Sequence, residues 1–256
     1  MALLTTAVVD HPVGQLLAAI TDVPLSLPTW TPLFAVVVGA VAGAAYAARR
    51  GFDVVGVLLL AFVQGMGGLL LRDTLLQTGT PTVLLESRYL VGASLAAAAG
   101  FLFAGLLTRL AGTLLVLDAL ALGILCTLGA GAALALTLSS TAAVFIGVVT
   151  AAGGPVLRDV VAGESPLMLR PGVFTAVAAL IGTSLFVVLV TVVEMSYGPA
   201  QLITVMVVLV VRVLAIQLGW QTTAARDLSD RVWRLWSRRP SEQVAERLPR
   251  DRDQRR

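Results

Sequence analysis

The sequence contains no lysine: all 18 of its basic residues are arginine, set against 15 acidic residues in a chain of 256. Without a lysine no Schiff base to a carbonyl ligand such as retinal can form. Cys126 is the only cysteine, so neither an intrachain disulfide nor a cysteine metal site is available. The one histidine, His11, reads as a solvated or interfacial side chain rather than a proton-handling group. No cluster of metal ligands, no GxSxG and no GxxxxGK[ST] is found, which argues against an enzyme and against a bound cofactor. Charge is scarce as well. At 13% charged residues the chain cannot cover a water-facing surface in the usual way.

What fills the chain instead is apolar: 57% of residues are hydrophobic and the mean hydropathy is +0.91. This composition belongs to an integral membrane protein. Seven long apolar stretches are expected as spans: Leu33–Ala48, Val54–Leu76, Tyr89–Leu107, Thr113–Ala135, Thr141–Leu157, Val173–Val193 and Ala200–Trp220. At 1.5 Å rise per residue each crosses or nearly crosses a hydrocarbon core of roughly 30 Å. Unpaired backbone groups are costly in lipid, and the runs lack the alternation of a barrel strand, so the predicted fold is all-α. Residues 1–32 are read as an extracytoplasmic segment, with no Lys or Arg ahead of its apolar stretch to mark a cleaved signal.

The arginines set an expected orientation. Residues 221–256 carry many of them, among them Arg226, Arg231, Arg234, Arg238 and Arg239, and positive flanks stay cytoplasmic. An odd number of spans then puts the N-terminus outside, in a cell inner or plasma membrane. RVWRLWSRR at 231–239 mixes tryptophan with arginine and reads as a helix on the anionic leaflet, or as a disordered tail. The lipid bilayer and its anionic lipids are thus the expected partners, and no nucleic acid is.

One motif occurs twice. Residues 67–75 read GGLLLRDTL and residues 153–161 read GGPVLRDVV, 86 positions later; Gly43 and Gly129 keep the same interval. The copies lie in the second and fifth spans, three apart, so they point opposite ways through the bilayer. Residues 33–110 and 111–195 are therefore expected as inverted three-helix repeats, with a seventh helix at 196–220 outside them. Gly65, Gly67 and Gly68 in the first copy, and Gly153, Gly154 and Pro155 in the second, sit near mid-span. Each glycine costs a helix about 1 kcal/mol, and Pro155 removes a backbone donor. Kinks are predicted in both helices, with open carbonyls beside a polar path; close helix crossing is the competing explanation.

Charges inside the spans are expensive unless paired, snorkelled or wet. Arg72 and Arg158 follow the glycines on opposite sides of the membrane and are assigned to the pore side or the interface. Asp73 and Asp159 stand next to them, but neighbouring residues point about 100° apart on a helix. The aspartates are therefore expected to pair elsewhere or to cap a nearby helix. Asp118 in the fourth span and Arg212 in the seventh lie at compatible depths and are predicted to form a structural ion pair that docks the seventh helix.

Two copies of GGxxxRD, each followed by a proline, together with RRGFDVVGV at 49–57 and LDALALGI at 117–124, resemble the prokaryotic trimeric intracellular cation (TRIC) channels. The repeats of that family are also known as glycine-transporter-type or UPF0126 domains. The resemblance implies a homotrimer in which each protomer has its own pore between kinked second and fifth helices and conducts potassium. Residue physics alone leaves a secondary transporter open, because a guanidinium could hold the carboxylate of a small amino acid such as glycine. The resemblance favours the channel.

Overall fold

The computed structural model describes residues 30–109, 111–166, 168 and 175–218. His11, most of the 1–32 segment, the 221–256 tail, the first two residues of the sixth predicted span and the last two of the seventh lie outside the described residues. The described residues are helical, with no strand among them. In chain order the helices are α1 (Trp30–Arg49), α2 (Val54–Leu76), α3 (Thr82–Leu85), α4 (Ser87–Leu102), α5 (Ala104–Arg109), α6 (Ala111–Ala135), α7 (Ser140–Val161), α8 (Thr175–Thr191) and α9 (Tyr197–Gln217).

Five of these, α1, α2, α6, α7 and α9, are long and apolar enough to cross a membrane, while α4 and α8 are shorter apolar helices. The third predicted span needs correction. It was expected to run from Tyr89 to Leu107, but helix α4 stops at Leu102 and Phe103 leaves helical geometry at φ −111° and ψ 25°. A separate short helix, α5, then begins at Ala104. No proline or charge marks the break, and the apolar run continues through it.

The two halves are built alike. Helix α1 packs on α2 and α4, and α6 packs on α7 and α8. The halves join where α2 meets α7 and α1 meets α6, and α9 rests on α6 and α8. Helix α2 opens with the Asp53 carboxylate accepting from the Gly56 amide at 2.8 Å. Helix α7 opens with the Ser139 hydroxyl accepting from the Ala142 amide at 3.3 Å. These N-caps are 86 residues apart, as the motifs are, and each satisfies one of the orphan donors of a helix start.

Inside and outside reverse the habit of a soluble domain. Small residues fill the centre: Ala35, Ala40, Ala44, Ala61, Ala119 and Ala130 are fully buried or nearly so. Large aliphatics such as Val55, Leu95, Leu102, Val192 and Leu202 are exposed at about two-thirds or more of their surface. In lipid an outward leucine costs nothing, whereas small inward residues let backbones approach and gain dispersion contacts.

Candidate functional site

The glycine pairs meet at the centre of the molecule. A methyl group placed on Gly68 would lie 2.0 Å from the Thr150 carbonyl oxygen, and one on Gly154 would lie 2.2 Å from the Gln64 carbonyl oxygen. Gly67 faces the Leu157 side chain, and Gly153 faces that of Leu71. Rising numbers on α2 therefore meet falling numbers on α7: the two helices cross antiparallel about a two-fold relation. Gly65 serves a second close approach, with its missing Cβ 2.6 Å from the Val36 carbonyl oxygen of α1. Gly65, Gly68 and Gly154 thus face partner backbone and Gly67 and Gly153 partner side chains, the close crossing that competed with an open path, and both helices run unbroken past their glycine pairs. The reason is steric, since a helix axis can come this near another only where no Cβ intervenes.

The motif charges correct a second expectation. Arg72 Nε donates to Asp73 Oδ1 at 2.7 Å, and Arg158 Nε donates to Asp159 Oδ1 at 2.8 Å. The neighbours pair after all. The 100° rule concerns Cβ directions, and an arginine stem is long enough to turn its guanidinium back onto the adjacent carboxylate. The capping half of the expectation does hold at Asp73, whose Oδ2 accepts from the backbone amide of Thr82, the first residue of α3, at 2.7 Å. Both aspartates are almost completely buried, where a lone carboxylate would be very costly.

The two copies differ in what else they hold. Arg72 adds a 3.3 Å bond to the Thr82 hydroxyl. Arg158 instead donates from Nη1 to Gln64 Oε1 at 2.9 Å, and its guanidinium carbon lies 4.0 Å from the Tyr46 ring centre. Arg50 also lies over Tyr46, at 4.3 Å, and forms an ion pair with Glu164. Arg158 thus ties α7 to α1 and α2 together. Gln64 and Tyr46 were not singled out in the sequence. The signal for Gln64 was there: one amide in the otherwise apolar part of the second span that precedes Arg72.

Asp118 and Arg212 come together, with Arg212 Nη2 donating to Asp118 Oδ2 at 3.0 Å. Arg212 Nη1 also donates to the Thr175 hydroxyl at the start of α8. The pair thereby links α6, α8 and α9.

A cavity of about 350 Å³ lies on the Arg158 side of the crossing. It reaches the surface at exposed Arg49 and carries Asp118, Arg158 and Asp159 on its walls. A smaller cavity, about 30 Å³, lies deeper, among Ala35, Gly39, Leu122 and Ala151. Gln64, Asp118, Pro155 and Thr175 line both. These four residues, from α2, α6, α7 and the start of α8, stand between the two spaces, as a neck would. Among the described residues, no group of three or more His, Cys, Asp or Glu side chains is placed to hold a metal ion.

A family model described as "Glycine transporter" matches the chain twice, at residues 29–105 and 115–191, which together make up more than half of it. A UPF0126 membrane protein of Deinococcus radiodurans is 36% identical over 154 residues, 60% of this chain and 72% of that protein. The chain belongs to the TRIC/UPF0126 family. Among solved structures, one described as showing the structural basis for conductance through TRIC cation channels superposes with a TM-score of 0.71 at 32% identity. That match covers 77% of this chain and 96% of the other. The TRIC trimeric intracellular cation channel orthologue from Rhodobacter sphaeroides superposes with a TM-score of 0.68 at 30% identity, covering 74% and 97%. This TRIC/UPF0126 protein is therefore a multi-pass membrane protein, helical in its described residues, with the fold of those channels. Its two family matches begin 86 residues apart, the interval of the GGxxxRD motifs and of the two helix caps.

Proposed function

We propose that this protein is a monovalent cation channel, conducting potassium, with one path per protomer along the crossing of α2 and α7. The observation that carries the proposal is the state of the motif arginines. A free guanidinium at depth would repel a cation, but Arg72 and Arg158 are each neutralised by the aspartate beside them. The cavity on the Arg158 side leads inward to a neck that offers an amide, a carboxylate and a hydroxyl, the oxygen chemistry that replaces a cation's water shell. The kinship with TRIC cation channels supports the same reading.

Several finer features belong to this proposal. The protein works as a homotrimer in the inner membrane, with seven spans, the N-terminus outside and the C-terminus in the cytoplasm. Bending at the glycine pairs and at Pro155 widens the crossing when ions pass. Asp118 and Arg212 dock α9 against the second repeat, and the arginine-rich tail rests on anionic lipid.

The second reading is a secondary transporter for a small amino acid such as glycine, favoured by the description of the family model. It needs an arginine available to a carboxylate, yet Arg158 is already held by Asp159 and Gln64. Purified protein in a planar bilayer separates the two. Unitary K⁺ currents are expected of the channel; saturable uptake of labelled glycine into liposomes without unitary currents would overturn it.

A further inference from the structure

We infer that Asp118 is the residue that selects cations over anions at the neck, and that Arg212 sets how tightly the neck holds them. The inference rests on the channel reading and assigns Asp118 more than the structural docking role.

Asp118 is the only carboxylate shared by the two cavities. Its side chain keeps about a third of its surface accessible, whereas Asp73 and Asp159 are sealed. Its hydrogen bond to Arg212 occupies Oδ2, and among the described residues Asp118 has no other partner, so Oδ1 is open to an ion. Arg212 is itself buried and is held by Asp118 and Thr175 at its outer nitrogens, while its Nε has no hydrogen-bond partner among the described residues.

The shared lining adds neutral oxygens. Gln64 and Thr175 line the neck with an amide and a hydroxyl, each of whose oxygens also accepts from an arginine, Arg158 and Arg212 respectively, and keeps a second lone pair. Pro155 has no N–H to donate to the carbonyl of Ala151 one turn earlier, so that helical bond is missing, and Ala151 lines the deeper cavity beside it. The first repeat has Leu69 at the position equivalent to Pro155, so only α7 releases a carbonyl in this way. A carboxylate beside neutral oxygens attracts a cation and excludes an anion. A permanent positive partner on the second carboxylate oxygen weakens the field, so the ion can leave as well as enter. Conduction requires that balance.

The test uses the full-length protein in planar bilayers with a KCl gradient, reading reversal potential and unitary conductance. Wild type is expected to reverse near the K⁺ equilibrium potential. Asp118→Asn is expected to lower the K⁺/Cl⁻ permeability ratio about tenfold, equivalent to about 1.4 kcal/mol, and Asp118→Glu to retain it. Arg212→Gln is expected to do the opposite of Asp118→Asn, keeping or raising the ratio while conductance saturates at lower K⁺. A purely structural pair predicts that the two single variants behave alike, since each undocks α9. Should Asp118→Asn fail to assemble, the double variant Asp118→Asn with Arg212→Gln leaves no unpaired charge and must still lose selectivity. Unitary currents with wild-type reversal potential in Asp118→Asn, or in the double variant, overturn the role of Asp118 and leave the channel reading intact. A wild-type protein silent in the bilayer overturns the channel reading first, and the selectivity with it.

Discussion

A methyl group on Gly68 has nowhere to go. Its position would fall 2.0 Å from a backbone oxygen of the facing helix, and at Gly154 the gap is 2.2 Å, again to a backbone oxygen. Backbone cannot rotate aside as a side chain can, so the helices must separate along their shared centre. At Gly67 the nearest obstacle is a leucine methyl at 3.0 Å, the far end of a flexible side chain. Gly68→Ala and Gly154→Ala are therefore expected to destabilise the protein by about 1–3 kcal/mol through overpacking. Gly67→Ala should be milder than either. Apparent melting temperatures in detergent check the order, and a Gly67→Ala protein as unstable as Gly68→Ala would refute the crossing geometry. The N-cap of α2 offers a second residue-scale test. Asp53→Ala removes the acceptor for the Gly56 amide and is expected to cost about 1 kcal/mol, read by the same melting experiment.

At the scale of elements, α2 and α7 carry the same motif but hold it with different strength. Arg72 binds one aspartate and one threonine hydroxyl, whereas Arg158 binds an aspartate and Gln64 of another helix while covering the Tyr46 ring. A lysine keeps the charge but has neither the planar fork nor the stacking face needed to serve all three partners. Arg158→Lys is expected to destabilise by about 2 kcal/mol, and Arg72→Lys by less. Equal melting temperatures for the two variants would show that the bond to Gln64 and the stacking on Tyr46 contribute nothing.

These elements also show what could be read from the chain beforehand. Helix α2 was expected from Val54 to Leu76 and runs between those residues, because Asp53 caps its start and charge and polar residues end its apolar run. The close of α4 was not legible, since Phe103 breaks the helix inside a sequence that stays apolar. The arginine–aspartate pairing was misread because spacing gives the direction of Cβ and not the reach of a guanidinium. Asp118 and Arg212 were matched by depth alone, yet that Asp118 also faces a cavity depends on how four helices tilt around it, and one-dimensional spacing has no term for tilt.

The whole molecule has an approximate inverted symmetry that includes the motif arginines Arg72 and Arg158 but not the arginines of its turns, and that asymmetry is expected to set its orientation. The turn after α1 carries Arg49 and Arg50 and α5 ends on Arg109, on one side of the fold if the spans alternate, and in the sequence the arginine-rich stretch follows α9. On the other side, the connection from α2 to α4 has only Arg88, and the turns α6–α7 and α8–α9 have no arginine. Arginine resists translocation, so the richer side should face the cytoplasm. A Cys126→Ser background removes the native thiol, which is buried in α6. Cysteines placed singly at Thr78 and at Phe52, in turns on opposite sides, can then be challenged in intact cells with a membrane-impermeant maleimide. Labelling is expected at Thr78→Cys without permeabilisation, and at Phe52→Cys only after it. The reverse pattern would mean that arginine bias does not set the topology. It would also turn the Arg158 cavity and the Asp118 neck outward, so that cations leaving the cell would meet the neck late in their passage instead of early.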